Sequence, residues 1–420
     1  MRSKILIGLA LTGALAFMSG CSAQSTPSAT PSAESTTEAS EESKSPLLIG
    51  AVLPVSGSFA LEGEEIKRGY ALALQDVDGV VAGRSVELIY GDGFAPEDVI
   101  AEVDRLATRE NVEMFIGTYA SSSSQAGSEA AARYGLPYWE THATSDTLTT
   151  RGLDNYFRST ARGVDYGTTS ANFIIEGIHP AIGGDNLTVF IQSIDGAYGA
   201  GVSDAQASTL IAAGYNVVRG THKYGVTDVT DSVLAAAAAN ADIWLITGYV
   251  PDTALLVRTA ASLKFQPKAV MLTGAGDAQS VLEAVGIEDL EGVFVTSYTS
   301  QQINAEYAPG MANFLKNYEA AYGGLPGDSV AMVAYTGMTA AILTLEKANG
   351  STELADMKAA ALSMNLPFGS MPIGWGLTFN SELQNQDIRL IGVQWRANGT
   401  SPAVWPKEAA LEGENIILGK

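Results

Sequence analysis

A serine-rich stretch, Gly117–Gln125, contains the side chains best suited to binding a small anion. It follows an apolar strand pattern at Val112–Ile116 and precedes an alanine-rich helix pattern at Ala126–Tyr134. At such a junction the first N–H groups of the helix lack partners and carry partial positive charge, and serine hydroxyls add further donors. The pattern therefore indicates an anion site that needs no lysine. The alternative is that one serine caps the helix while its neighbours are solvated.

Other hydroxyl and aromatic side chains follow the ends of predicted strands. Ser121, Ser122 and Thr144 offer hydroxyl donors, and Tyr198 and Tyr249 offer flat rings with a polar tip. These side chains suit the wall of a small-molecule site. The alternative for each tyrosine is a packing role.

Acidic side chains near strand ends are candidates to hold a positive group. Glu140 follows Trp139 at the end of a predicted strand, where a carboxylate must meet a cation, a donor or solvent. Glu62 and Asp277 are further candidates for this role. In a chain this acidic, each of them has the alternative of being a solvated surface residue.

Catalytic and metal-binding motifs are missing from the sequence. His142, His179 and His222 lie far apart and lack the paired spacing of a zinc site. There is no nucleophile elbow and no P-loop, and Gly274-Ala275-Gly276 lacks the final glycine of a dinucleotide motif. A hydrolase that uses Glu140 and His142 would have no accompanying nucleophile or oxyanion motif. The sequence therefore predicts a protein that is not an enzyme, with no metal and no cofactor.

Strand and helix patterns alternate along two successive runs, which predicts an α/β fold of two doubly wound, Rossmann-like lobes. Ligands of such sheets bind beyond the carboxyl ends of the strands, so we expect a cleft between the lobes. The predicted strands are 47–53, 86–90, 112–116, 136–140, 186–192, 215–219, 242–247, 269–272, 292–298 and 388–395, and the predicted helices include 96–108, 121–134, 166–178, 198–213, 228–239, 251–263, 307–322 and 329–347.

The composition limits the partners of the protein. A chain of 420 residues with 46% hydrophobic residues can fill two or three domain-sized cores. Its 24 basic residues face 46 acidic ones, which gives a net charge of -22. Nucleic acid is excluded as a partner, because phosphate binding depends on clustered basic side chains.

The N-terminus has the pattern of a bacterial lipoprotein signal peptide. Arg2 and Lys4 precede an apolar run at Ile5–Phe17, and Met18-Ser19-Gly20-Cys21 follows it. The ending resembles a lipobox, which implies cleavage after residue 20 and a lipid on Cys21. The alternative is a plain secretory signal. Residues 21–46 are rich in serine, threonine and glutamate and predict a disordered tether that spans about 25 to 30 Å. We therefore expect an extracytoplasmic protein that is lipid-anchored to the bacterial cell membrane.

Several dispersed motifs resemble the periplasmic leucine/isoleucine/valine-binding proteins of ATP-driven importers. They occur in the order and spacing of that family, and the resemblance covers about residues 47–400. The motifs are Ile49–Gly57, Glu64–Tyr70, Ile116–Ser124, Ala143-Thr144, Asn155–Ser159, Gly196–Gly199 and Thr247–Tyr249.

The resemblance implies two lobes that are joined by three crossovers and close by hinge motion. Lobe I would comprise residues 47–160 and 297–372, and lobe II would comprise residues 161–296 and 373–410. The crossovers would lie near 157–162, 295–299 and 371–378.

The resemblance also implies roles for individual residues. Ser121 or Ser122, together with the loop His142-Ala143-Thr144 that follows Trp139 and Glu140, would hold an amino acid's carboxylate. Tyr198 and Tyr249 would cover the ligand. The sequence departs from the family at three positions: Glu62 replaces a tyrosine, His142 replaces an alanine, and the ammonium-binding glutamate falls near Gly274. The resemblance thus leaves Glu62 or Asp277 to bind an ammonium group.

These observations predict a solute-binding protein of an ABC importer that captures a small carboxylate-bearing solute and delivers it to a membrane permease. An amino acid is favoured, and the alternatives are an amide, a urea or an aromatic acid. A sensor of the same ligands is a further alternative. We expect a monomer.

Overall fold

The computed structural model of the protein describes residues 45–418. The predicted signal peptide, the lipidation site Cys21 and nearly all of the predicted tether lie outside these residues. Within the described part of the chain, no helix has both the length and the apolar character needed to cross a membrane.

The first sheet has six strands in the order β2-β3-β1-β4-β5-β6. All neighbours are parallel except β2, which forms a short antiparallel hairpin with β3. β1 is almost wholly buried, as its continuous apolar sequence predicts. The strands are β1 (Leu47–Leu53), β2 (Val80–Val81), β3 (Arg84–Asp92), β4 (Met114–Ile116), β5 (Tyr138–Glu140) and β6 (Tyr156–Arg158).

The second sheet has seven strands in the order β13-β12-β11-β10-β9-β7-β8. The strands from β7 to β11 pair in parallel, whereas β12 and β13 add an antiparallel edge. The strands are β7 (Thr188–Ile194), β8 (Asn216–His222), β9 (Ile243–Gly248), β10 (Ala269–Gly274), β11 (Phe294–Ser297), β12 (Ile391–Gln394) and β13 (Ala403–Trp405).

Helices cover both sheets, as the alternating pattern predicts. Two of them, α2 and α5, continue into one π-helical turn each, at Leu106–Glu110 and Ile174–Ile178. The helices are α1 (Ala60–Gln75), α2 (Pro96–Arg105), α3 (Ser121–Ala132), α4 (Thr147–Thr150), α5 (Gly163–Phe173), α6 (His179–Ile182), α7 (Ala197–Ala212), α8 (Thr230–Ala238), α9 (Val250–Leu263), α10 (Gln279–Val285), α11 (Ile287–Leu290), α12 (Met311–Tyr322), α13 (Val330–Lys347) and α14 (Leu354–Leu362).

Each lobe contains a tightly packed helix pair that depends on a glycine. In lobe I, α1 packs against α13, and a Cβ at Gly69 would lie 2.4 Å from the Ala331 carbonyl oxygen. In lobe II, α5 packs against α7, and a Cβ at Gly167 would lie 2.4 Å from the Val202 carbonyl oxygen. Glycine therefore allows the two backbones to approach at both positions.

The chain crosses between the sheets three times. It leaves the first sheet after Arg158 and the second after Ser297, close to the predicted positions. The third crossover is later than the predicted 371–378, because Gln384 still bridges Arg158 beside the first sheet. The chain joins the second sheet only at β12. Phe379 still packs on the first sheet, where its ring centroid lies 5.6 Å from that of Trp139.

The structure confirms the predicted fold class, an α/β protein with two doubly wound lobes. Most predicted elements are present with their ends displaced by a few residues. Short elements were not predicted, because elements of this length carry little periodicity. They are the strands β2, β6 and β13 and the helices α4, α6, α10, α11 and α14.

Candidate functional site

A cavity lies between the lobes at the carboxyl ends of the strands, where the fold class predicts a ligand site. The volume of the cavity, counted for the centres of water-sized spheres, is about 60 Å³. This is room for roughly four to six waters. Five tyrosines dominate its wall. The lining residues are Tyr119, Ser121, His142, Thr144, Tyr166, Tyr198, Gly248, Tyr249, Gly274, Asp277, Tyr298, Asp328, Ser329 and Val330.

The start of α3 reaches the cavity at Ser121. The preceding residue is Ala120, which makes no side-chain cap, so the N–H groups of the first turn stay available to a ligand. The Ser121 hydroxyl accepts a hydrogen bond of 3.2 Å from the Ser145 N–H and keeps its own proton to donate. Thr144 lines the same side of the cavity. This wall offers donors and partial positive charge.

Three predicted site residues lie away from the cavity wall. Ser122 is exposed on the outer face of α3, because a helix turns neighbouring side chains by about 100°. Trp139 is fully buried, and its indole N–H donates to the Gly337 carbonyl oxygen over 3.1 Å. Ala143 is also buried and packs in the lobe I core.

Glu140 is directed into its own loop and not toward the cavity. One carboxylate oxygen accepts the backbone N–H groups of Thr141, His142 and Ala143 over 2.8 to 2.9 Å. The other oxygen accepts the Thr118 N–H over 3.1 Å and the Ser124 hydroxyl over 2.5 Å. The expectation that Glu140 holds a ligand's positive group is therefore wrong. The loop N–H groups already bind the Glu140 carboxylate, so they are unavailable to a ligand's carboxylate.

His142 lines the cavity as a neutral ring. Its Nδ1 lies 2.8 Å from the Thr141 hydroxyl and its Nε2 lies 3.2 Å from the Val330 carbonyl oxygen. Burial lowers the pKa of His142 to about 4. Because the Glu140 carboxylate binds the backbone and not the imidazole, the pair lacks the geometry of a hydrolase base.

Two aspartates line the cavity: Asp277 follows β10 of the second sheet, and Asp328 precedes α13, which packs on α1 in lobe I. The Ser297 hydroxyl lies 2.6 Å from an Asp277 carboxylate oxygen, and the Val330 N–H donates to Asp328 over 2.9 Å. Burial raises the pKa of Asp277 to about 6. Burial and the nearby charge of Asp277 raise the pKa of Asp328 well above its usual range. This wall is therefore acidic and short of donors.

Glu62 lies behind this acidic wall. It is buried, one of its carboxylate oxygens has no hydrogen-bond partner in the described chain, and burial raises its pKa. It lines a separate groove that Asp328 also borders. The structure thus separates Glu62 from the cavity, although the sequence grouped it with Asp277.

Aromatic side chains close the cleft from both lobes. Tyr198 and Tyr249 lie side by side in the cavity wall, with ring centroids 5.4 Å apart. Across the cleft, Tyr249 lies 5.4 Å from Phe59 and 6.1 Å from Tyr119. Both predicted tyrosines are therefore at the ligand cavity, and they also help to hold the lobes together.

Sequence reasoning missed several lining residues. Tyr119 lies inside the serine-rich stretch, where the serines give the stronger signal of a binding site. Asp328 and Ser329 precede α13, where the sequence resembles an ordinary helix start. Tyr166 and Tyr298 lie at the ends of a predicted helix and a predicted strand, where the sequence gives no sign that their side chains face a cavity. In the described residues, no cluster of histidine, cysteine and acidic side chains could hold a metal ion.

The fold and the site together define a two-lobed binding protein with its ligand cavity in the cleft. Residues 46–399 match the family model described as periplasmic binding protein, and the chain belongs to that family. It is an extracytoplasmic binding protein of the ABC-transporter type, and its homologues are substrate-binding proteins and not enzymes.

Known relatives support this family over most of the chain. The protein is 31% identical over 368 residues to Leu/Ile/Val-binding protein homolog 8 of Brucella abortus, which covers 86% of this chain and 91% of the relative. A leucine-binding protein from Thermotoga maritima superimposes with a TM-score of 0.75 at 22% identity, covering 85% of this chain and 97% of that chain. A solute-binding protein from R. palustris in complex with benzoate gives a TM-score of 0.72 at 19% identity, covering 89% of this chain and 99% of that chain.

Proposed function

We propose that the protein is a lipid-anchored solute-binding protein that captures a small carboxylate-bearing solute and delivers it to the permease of an ABC importer. The favoured solute is an amino acid. The observation that carries the proposal is the cavity between the lobes, whose wall holds both Ser121 at the uncapped start of α3 and the carboxylates of Asp277 and Asp328. Cys21 would carry the lipid, and residues 21–46 would tether a monomeric body to the membrane. The lobes would close on the solute by hinge motion about the three crossovers.

In this proposal the carboxylate lies at the start of α3. Ser121 and Thr144 donate hydrogen bonds to the carboxylate through their hydroxyl groups. The N–H groups of the first turn add partial positive charge beside it. The His142 and Ala143 N–H groups contribute nothing, because Glu140 occupies them. The ammonium group points toward Asp277. Tyr198 and Tyr249 cover the solute.

An aromatic acid is the second candidate. Five tyrosine rings in the cavity wall could stack on a benzoate-like ring, and one similar structure holds benzoate. The acidic wall favours the amino acid, because an aromatic acid brings no positive charge to Asp277. An amide, a urea and a sensory role are further alternatives.

Calorimetric titration with a panel of amino acids, amides, ureas and aromatic acids tests the proposal. We expect at least one amino acid to bind. Replacing Ser121 and Thr144 by alanine should weaken that binding by roughly 1 to 3 kcal/mol for each lost hydrogen bond.

Ser122→Ala is the matched control, since its hydroxyl is exposed beside the same helix start. It should bind the solute as the unaltered protein does. If the whole panel gives no heat and no thermal shift, or if the Ser121 and Thr144 variants bind unchanged, the proposal fails.

A further inference from the structure

Two carboxylates share the cavity without a cation. No lysine or arginine lines it, and none of the ion pairs within residues 45–418 involves Asp277 or Asp328. Each receives few donors, namely the Ser297 hydroxyl and the Val330 N–H. Enclosing two like charges in this way is unfavourable unless a positive group joins them.

Tyr166 provides an independent indication of a missing group. It lines the cavity and is only 1% exposed, and its hydroxyl makes no hydrogen bond of normal geometry among the described residues, although it interacts with the Tyr298 hydroxyl. Buried hydroxyl groups are normally paired. An ammonium N–H could donate to this oxygen, and the tyrosine rings of the wall present faces that attract cations.

A second chamber lies beyond the two aspartates. Asp277, Asp328 and Ser329 border both spaces, so they form the partition between them. The second chamber has a volume of about 430 Å³, and its lining mixes polar side chains such as Gln301 and Gln302 with apolar ones such as Leu315 and Met332. The inner cavity suits the head group of an α-amino acid, and a longer side chain would pass between the aspartates.

We propose that Asp277 and Asp328 form a cation subsite and that the solute is a diamino monocarboxylic acid with a net positive charge. The α-ammonium group lies against Asp277 and the side-chain ammonium against Asp328. The carboxylate lies at Ser121, so this inference rests on the proposed function. A neutral amino acid would leave one aspartate without a partner.

Asp328 also has a structural role that the test must keep separate. It accepts the Val330 N–H two residues along the chain, just before α13, and such a bond shapes the turn that enters the helix even without a ligand. Asparagine makes the same kind of bond through its amide oxygen. Asp328→Asn therefore removes the charge while preserving this hydrogen bond.

The experiment compares ornithine with norvaline, which has the same chain without the side-chain ammonium. Calorimetry on the unaltered protein should show ornithine binding at least about tenfold more tightly, as expected for one close charge pair. Asp328→Asn should weaken ornithine binding by about tenfold or more and leave norvaline binding within about twofold. Thermal unfolding without solute checks that the variant is folded.

The outcomes separate the two proposals. If norvaline binds as tightly as ornithine, or if Asp328→Asn weakens both equally, the cation subsite is overturned while the amino-acid function stands. If the protein binds neither ornithine nor norvaline but binds another solute of the panel, only the cation subsite is overturned. If it binds no solute of the panel, both proposals are overturned.

Discussion

Buried acids beside the cavity and in its wall differ sharply in how they are satisfied. In lobe I, Glu140 accepts four backbone N–H groups and the Ser124 hydroxyl, all from its own surroundings. In the cavity wall, Asp277 lies near the Ser297 hydroxyl and Asp328 accepts the Val330 N–H, and the charge of Asp277 raises the pKa of Asp328. Glu140 therefore stabilises a loop, whereas the described part of the fold supplies no cation to the two aspartates.

This difference shows why an acid in a cleft is not automatically a ligand site. Glu140 shapes the site indirectly, because it fixes the loop that presents His142 and Thr144. The aspartates are unfavourable for the empty protein and favourable for a cationic solute. Glu140 thus contributes to stability, whereas the two aspartates contribute to binding at a cost in stability.

The largest expected effect comes from removing Glu140. Glu140→Ala would leave several buried N–H groups unpaired, so we expect the free energy of unfolding to fall by about 3 to 5 kcal/mol. Denaturant unfolding measures this change. Glu87→Ala is the control, because Glu87 is exposed on β3 and should change stability by less than about 0.5 kcal/mol. A loss at Glu140 no larger than that of the control would contradict the role given to this loop.

The next effect concerns pH. Because the pKa of Asp277 is raised to about 6, its charge is present at pH 7 and lost at pH 5. Binding of ornithine should therefore weaken by about tenfold between pH 7 and pH 5. Asp328, with its raised pKa, faces the same space and acts in the same direction. Calorimetry at both pH values measures the change, and binding that is independent of pH would argue against a cation at these aspartates.

The smallest effect is on the stability of the empty protein. A carboxyl whose pKa is raised in the folded state binds its proton more tightly there, so its charged form destabilises the fold at pH 7. Asp277→Asn should raise the free energy of unfolding without solute by about 1 kcal/mol. Thermal or denaturant unfolding at pH 7 would reveal it. A clear loss of stability would mean that Asp277 serves the fold as Glu140 does.

Much of the fold followed from the sequence because its signals are long and regular. The strand β1 and the start of α3 at Ser121 lie where the apolar and alanine-rich patterns place them. The third crossover, placed at 371–378 by the family resemblance, lies later in the chain. Only the long-range bridge between Arg158 and Gln384 shows that the chain up to that point remains with lobe I.

The site was harder to predict because its walls come from distant segments. Sequence placed Ser121, Thr144, Tyr198, Tyr249 and Asp277 at strand ends, and the structure brings them to one cavity. It could not distinguish Ser121 from Ser122, since the helix rotation at the junction decides which one faces inward. It also could not show that Glu140 is saturated by its own loop, or that Asp328 lines the same cavity as Ser121.

The most direct test of the account is an experimental structure with the bound solute. The account predicts a carboxylate within hydrogen-bond distance of Ser121 and Thr144, with a positive group on the side of Asp277 and Asp328. A solute in the reverse orientation, or one bound outside the cavity between the lobes, would contradict it.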